Sequence, residues 1–272
     1  MIELKSSEEM DEIARGGRII AALYREMQTR IVPGVSTGEL DRFAETFITD
    51  HDGALPAFKG LYGFPGTMCC SINEEVVHGI PSKKRVLREG DILSLDTGVR
   101  LNGWCSDSAW TFGVGDVAGA VVDLLDATRH ALDRAVDAAR AGNHVGHIGH
   151  AVESAVRGLG FEVIRDLVGH GIGRKVHEDP QVPNRGEPGE GPLLQVGMVL
   201  AIEPMIAMGT WRIRTLSDRW TIVTADGQPS AHFEHTIGIT EAGPRILTAE
   251  VSPGAASDST TSRGSEQLRG TA

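Results

Sequence analysis

Cysteine is scarce: Cys69, Cys70 and Cys105 are the three in 272 residues. An odd, low count with no CxxC pair excludes a disulfide scaffold and a cysteine-built zinc site, and it suits a reducing compartment. Basic charge is short too. Lys and Arg number 26 against 37 Asp and Glu, for a formal charge of −11 and a pI near 5.4. Binding DNA or RNA needs clustered cations for the phosphates, so that class is set aside. No apolar run approaches the ~20 residues of a membrane span. The opening "MIELKSSEEMDEIARGG" is mixed in charge and lacks the apolar core of a secretory signal. A cytoplasmic protein, free of membranes and acting as a monomer, is the expectation. Also missing is HExxH, the spacing that puts two zinc-binding histidines on one helix face.

What is present can bury a sizeable core, with 40% hydrophobic residues. Ser6 and Glu9 predict a capping box. Met10, Ile13, Ala14, Gly17, Ile20, Ala21, Tyr24 and Met27 continue at helical spacing, and Pro33-Gly34 stops that helix. Ser36 with Glu39 caps a second helix carrying Leu40, Phe43, Ala44, Phe47 and Ile48. Short strands come next in "GTMCCSIN", "EVVHGI", "DILSLDTGVRL" and "WCSDSAWTFGVG". The second half repeats the order. One helical pattern runs from Val121 to Ala139, "AGNHVGH" breaks it, and a second runs from Ile148 to Leu159. Strands return in "FEVIRDLVGHGIG", "MVLAIEPMI", "WTIVTAD" and "SAHFEHTIGIT". The fold class is therefore α+β, two pseudo-repeated helix-helix-strand halves with a site between them. Residues 1–248 form the predicted catalytic domain. Residues 249–272, rich in Ser, Thr, Gly and Ala, read as a disordered low-complexity tail.

Four acids stand out. Asn102-Gly103 is the signature of a two-residue type I′ hairpin turn. It sets Leu101 opposite Trp104 and hence Asp107 opposite Gly98. Asp96, two residues from Gly98, shares that face as a diagonal neighbour, ~7–8 Å away at the backbone. Two carboxylates aimed into one space repel unless something positive lies between them, and Gly98 leaves room for it. Taken alone, the pair reads better as two solvent-facing surface aspartates. Glu203 in "VLAIEPMI" and Glu234 in "AHFEHTIGI" change that reading, because a carboxylate inside an apolar strand is costly without a metal or a basic partner. No Lys or Arg alternates with them. Four carboxylates with a histidine suit two divalent ions better than one tetrahedral zinc.

The histidine comes from "GHGIGRKVHEDPQV". Its glycines argue against a helix over residues 169–177 and for a strand ending in a tight turn. His170 and His177 then need not point the same way, and one can bind metal while the other meets substrate. A lone histidine would more often be structural. His170, His177 and His78 of "VVHGIP" are too glycine-framed and too close to apolar strands for that reading. Cys69-Cys70 as a thiol nucleophile lacks a matched His/Asn arrangement.

At these residues the chain resembles the type I methionine aminopeptidases, members of the creatinase- and prolidase-like pita-bread metallopeptidases. The resemblance runs from about residue 3 to about 247. It rests on "PGVSTGELD", "SINEEVVHGIP", "GDILSLDTG", "SDSAWTFGVG", "GHGIGRKVHEDPQV", "AIEPM" and "FEHTIGIT", in that order. It implies a pita-bread fold around a central dinuclear metal site, with Asp96, Asp107, His170, Glu203 and Glu234 as ligands. In that pattern Asp96 holds one ion, His170 and Glu203 the other, and Asp107 and Glu234 bridge both. Glu203 would also shuttle a proton, and His78 and His177 would contact substrate. The resemblance further implies a methionine pocket of Phe58, Leu61, Phe64, Cys69, Val176 and Trp220. Leu61 and Val176 depart from it, standing where Tyr and Phe are usual. A monovalent cation near Asn73 is implied as well. The metals would be two of Co, Mn, Fe or Zn. The expected activity is removal of the initiator methionine before a small second residue, from peptides and nascent chains, with the ribosome as a further candidate partner. Its rivals are a proline-specific peptidase of the same fold and a non-catalytic nascent-chain- or RNA-binding relative.

Overall fold

The structure, a computed structural model, describes residues 2–249. Apart from Ala249, the tail expected from residue 249 onward lies outside the described residues. Helices α1 (Ser7–Gln28) and α2 (Thr37–Thr49) open the chain, and both predicted capping boxes form. The Ser6 and Ser36 hydroxyls accept the backbone N–H of Glu9 and Glu39, whose carboxylates accept the serine N–H in return. Helix α1 ends at Gln28 and so stops short of Pro33, the predicted breaker.

Strands β1 (Ala54–Pro56), β2 (Cys69–Ile72), β3 (Glu75–Val77), β4 (Ile92–Leu101) and β5 (Trp104–Gly113) complete the first half. Helices α3 (Gly119–Ala138) and α4 (Val145–Val156) open the second. Helix α4 begins inside the segment expected to break the pattern. There the His147 ring Nδ1 accepts the His144 N–H at 3.0 Å, so histidines cap this helix. It ends at Val156 because Arg157 leaves the helical region and Gly158 takes a left-handed φ of 81°. Leu159, expected on the buried face, is consequently 55% exposed.

Ten short strands make up the rest: β6 (Glu162–Val163), β7 (Val168–Gly171), β8 (Glu178–Pro183), β9 (Val199–Ile202), β10 (Met205–Ala207), β11 (Ile213–Thr215), β12 (Ile222–Thr224), β13 (Ser230–His232), β14 (His235–Thr240) and β15 (Gly243–Ile246). Among the described residues they pair into sheets ordered β15-β14-β9-β7-β8, β13-β10-β6 and β11-β12-β3, while β4 pairs with β1, β2 and β5. Each half has its own core. Ile20, Leu23, Leu40 and Ile48 of α1 and α2 cluster with Leu93, Leu95 and Val99 of β4. Leu124, Leu132, Ile148 and Val152 of α3 and α4 cluster with Leu200, Ile202, Ile237 and Ile239. At ~1.5–3 kcal/mol for each fully buried aliphatic side chain, these stripes are what hold the helices to the sheets. No helix of the described residues is long and apolar enough to cross a membrane.

Two long strands foreseen in the sequence are each broken in two. "MVLAIEPMI" divides at Glu203-Pro204 into β9 and β10, and "SAHFEHTIGIT" divides at Phe233-Glu234 into β13 and β14. The breaks face one another, since Ile202 pairs with His235 and Met205 with His232. The paired strands pass from one sheet to another at one place, and that place carries both glutamates.

Candidate active site

The hairpin forms as its turn residues require. Asn102 and Gly103 take φ of 52° and 79°, Leu101 pairs with Trp104, and Gly98 pairs with Asp107. Gly98, however, does not leave room for a cation. A Cβ there would meet Phe58 Cε1 at 2.9 Å and Ala57 Cβ at 3.0 Å, so the missing side chain admits Phe58, which lines the cavity.

Hydroxyls stitch this hairpin to the strand break opposite. Ser108 Oγ donates to the Glu234 carbonyl at 2.7 Å, and Thr111 Oγ1 donates to the His232 carbonyl at 2.7 Å. Thr236 Oγ1 donates to the Asp107 carbonyl at 2.7 Å, and Glu234 N–H donates to the Ala109 carbonyl at 2.9 Å. Asp107 and Glu234 are thereby fixed across one seam. His170 joins them from β7, where glycines on both sides let strands close in. A Cβ at Gly169 would lie 2.3 Å from the Ala201 carbonyl, and one at Gly171 would lie 2.0 Å from that of Asp179. Ligand atoms of Asp107, His170 and Glu234 fall within 4.8 Å of one another. His170 Nε2 lies 3.5 Å from Glu203 Oε1 and 4.0 Å from Asp107 Oδ2. Asp96, Asp107, His170, Glu203 and Glu234 all line one cavity of about 950 Å³.

The electrostatics of this group are those of uncompensated acids. Burial, then the charges of Asp107 and Glu203, pushes Asp96 well above the carboxylate range. Burial likewise raises Asp107 to about 7, and it raises Glu203 and Glu234 well up, with neighbouring acids adding to both. Buried oxygens of Asp96, Asp107 and Glu234 have no hydrogen-bond partner. Burial holds His170 down at about 4, leaving it neutral and able to coordinate. A crowded, oxygen-rich, partnerless donor set with one neutral imidazole fits divalent cations.

These shifts can be tested through pH. An acid whose pKa is higher folded than unfolded binds more protons in the folded state, so stability falls as pH rises through that interval. The buried histidines act in the opposite sense, but only below ~6.5, where unfolded imidazoles become charged. Between pH 7 and 8 the histidines drop out and the buried carboxyls set the slope, with the raised thiols of Cys69, Cys70 and Cys105 adding in the same sense. Chelated protein is expected to melt at lower temperature at pH 8 than at pH 7. Added Mn²⁺ or Co²⁺ is expected to raise the melting temperature and flatten the slope, as scanning fluorimetry would record. A chelated protein with no pH slope would contradict the carboxyl cluster.

The expected substrate residues line the same cavity, with one exception. Phe58, Leu61, Phe64, Cys69, His78, His177 and Trp220 all face it. Ile222 pairs with Val77, which brings Trp220 beside His78, edge to face at 6.3 Å. Phe64 meets Trp220 edge-on at 5.2 Å. His78 has a left-handed φ of 59°, backbone strain of the kind stored at functional sites. Burial lowers the pKa of His78 and of His177, so both rings are neutral near pH 7. His177 stands edge-on to His170 at 4.5 Å. Val176 is the exception. It is 2% exposed and belongs to the apolar cluster of Phe58, Phe64, Cys69, Trp104 and Ile172, behind the wall of the cavity. Residues 173–177 form a bend ahead of β8, and this bend presents His177 to the cavity while Val176 packs inward.

Asn73, beside which a monovalent cation is expected, is fixed by its side chain. Its amide donates to Asp91 Oδ1 at 2.9 Å and its Oδ1 accepts the Ile92 N–H at 3.0 Å, so the side chain holds the loop in place. Three residues near the site carry no signal singled out in the sequence. His232 Nε2 lies 3.6 Å from Glu203 Oε2, buried and with no hydrogen-bond partner. Lys5 Nζ pairs with Glu178 Oε2 at 2.6 Å, pinning the loop that carries His177 to the N-terminal segment. Tyr62 stacks on His177. Only the histidine in "SAHFEH" could have drawn notice, as a buried-strand imidazole two residues before an acid.

Comparison with known proteins agrees with this geometry. The model of metallopeptidase family M24 matches residues 11–241. The methionine aminopeptidase of Clostridium perfringens is 50% identical over 248 residues, which cover 91% of this chain and 99% of that one. Methionine aminopeptidase 1 of Bacillus subtilis is 49% identical, with the same coverage. The crystal structure of methionine aminopeptidase from Thermotoga maritima superposes with a TM-score of 0.90 at 44% identity, covering 92% of this chain and all of that one.

Proposed function

The chain belongs to metallopeptidase family M24, with the pita-bread fold, and on that premise we propose that it is a methionyl aminopeptidase. It removes the N-terminal methionine from peptides and nascent proteins. The observation that carries this reading is the convergence of four carboxylates and His170, two further neutral histidines and an apolar, aromatic-walled recess in one cavity. Near-complete coverage of methionine aminopeptidases at 49–50% identity supports it.

In this reading Asp96, Asp107, His170, Glu203 and Glu234 would hold two divalent cations, of Co, Mn, Fe or Zn, and Asp107 and Glu234 would serve both. Such cations lower the pKa of water into the neutral range and draw off charge from the scissile carbonyl. The chain's own groups do the rest. Glu203 takes the water proton and passes it to the departing amine, with the His232 ring 3.6 Å from its Oε2. The neutral imidazoles of His78 and His177 present N–H groups that orient the scissile amide and meet the developing oxyanion. Phe58, Leu61, Phe64, Cys69 and Trp220 receive the methionine side chain, whose sulfur is polarizable and favours aromatic edges. The substrate's free amine anchors at the carboxylate end of the cavity, and the second residue is small. We place the enzyme in the cytoplasm, as a monomer acting on chains at the ribosome. Three buried cysteines with no disulfide support a reducing compartment.

The test is release of free methionine from Met-Ala-Ser, with N-acetyl-Met-Ala-Ser as control. The first is cleaved and the second is not. Equal cleavage of both would remove the role of the free amine.

A further inference from the structure

Tyr62 is 76% exposed, the largest exposure among the big apolar or aromatic side chains of the described residues. Its backbone sits at φ 50°, ψ 15°, a left-handed conformation that a tyrosine rarely adopts. Gly60 and Gly63 on either side are left-handed as well, at 84° and 91°. The loop is closed by four backbone bonds: Leu61 N–H to Phe58 O at 2.9 Å, Gly63 N–H to Gly60 O at 3.1 Å, Phe64 N–H to Leu61 O at 2.9 Å and Gly60 N–H to Phe64 O at 2.8 Å. Leu61 and Phe64 join the apolar cluster beneath the cavity, and Tyr62 does not. Burial therefore does not explain where this ring stands, and strain at an exposed non-glycine residue points to a use.

Its neighbours say what that use is. The Tyr62 ring lies nearly parallel to the His177 ring, at 5.8 Å and 22°. His177 in turn stands 4.5 Å from His170. The three rings lead from the carboxylate cluster to the exposed ring of Tyr62, which also lines the cavity. If His177 meets the scissile amide, the ring beyond it meets the peptide on the leaving side of that amide.

We propose that Tyr62 is a substrate-contacting residue for the leaving part of the peptide, a flat platform beyond His177 on which the backbone of the second and third residues lies. The proposal rests on the aminopeptidase reading above. An aromatic face grips peptide planes without reading side chains, and its phenol can bond a backbone carbonyl or amide. That is the chemistry needed by an enzyme whose substrates share a first residue and differ afterwards.

The experiment uses the full chain loaded with Mn²⁺ and two substrates, Met-Ala-Ser and methioninamide, whose leaving group is ammonia. Tyr62→Asn keeps a residue that tolerates the left-handed loop and removes the ring, and Tyr62→Phe keeps the ring. Tyr62→Asn is expected to lower kcat/KM on Met-Ala-Ser roughly tenfold, mostly through KM, the scale of one stacked aromatic contact. On methioninamide the loss should be under about twofold, by the same reasoning. Tyr62→Phe should retain most activity on both, and the melting temperature should not fall in either variant. Equal losses on both substrates would show that the ring serves only to hold His177, and no loss on Met-Ala-Ser would show that it serves neither; each overturns the proposal. A wild type that turns over neither substrate overturns the aminopeptidase reading and the platform with it.

Discussion

Replacing Asp107 with alanine is expected to abolish turnover of Met-Ala-Ser and to reduce bound divalent metal from two ions per chain to one or fewer. Asp107 is 3% exposed, and its ligand atom lies within 4.8 Å of those of His170 and Glu234. In the proposed site it would be shared between two cations, so its loss would not be confined to one of them. Its backbone is held separately, by Thr236 Oγ1 at 3.0 Å on the N–H and 2.7 Å on the carbonyl, so the hairpin survives the change. Metal content by elemental analysis and binding by calorimetry give readouts independent of activity. Chelated Asp107→Asn should melt no lower than chelated wild type, since it removes one of several mutually repelling buried acids. Near-normal turnover of the alanine variant at saturating metal would refute the dinuclear assignment.

His170 and His177 should separate by the same two readouts. His170→Ala is expected to weaken metal binding, because His170 Nε2 faces Glu203 Oε1 at 3.5 Å within the acid cluster. His177→Ala should leave metal binding nearly intact and lower kcat/KM by ~10²-fold or more, the size of one lost, preorganised polar group at a transition state. The rings stand 4.5 Å apart, so geometry alone would let either one coordinate. What distinguishes them is their company, acids around His170 and Tyr62 against His177. Equal metal loss in both variants would defeat the division of labour.

Much of this site is legible in the sequence because the signals are local. Asn102-Gly103 fixes a turn, a turn fixes register, and register fixes that Asp107 faces Gly98, as found. The glycine-framed histidines read correctly as strand and turn for the same reason. The features that escape the sequence depend on partners distant along the chain. Gly98 is small for Phe58, which arrives from a loop forty positions earlier. The break at Glu203 has one local sign, Pro204, since proline does not continue an interior strand. The break at Glu234 has none, because it answers Glu203-Pro204 across the sheet. Val176 is a pocket wall by resemblance alone, and the bend that brings His177 to the cavity leaves Val176 in the core. Tyr62 gives no sign of its place, because an exposed tyrosine in a glycine-rich loop has no periodicity to betray it.

The measurement that tests the account most directly is a steady-state comparison of Met-Ala-Ser and Ala-Pro-Ala on one metal-loaded preparation. The two peptides ask the same metal centre to act on different first and second residues. The account predicts rapid release of methionine from the first and negligible cleavage of the second, with both activities lost on chelation. Preferential cleavage of Ala-Pro-Ala would contradict it, and would mean that the aromatic recess beside the metal-binding cluster does not receive methionine.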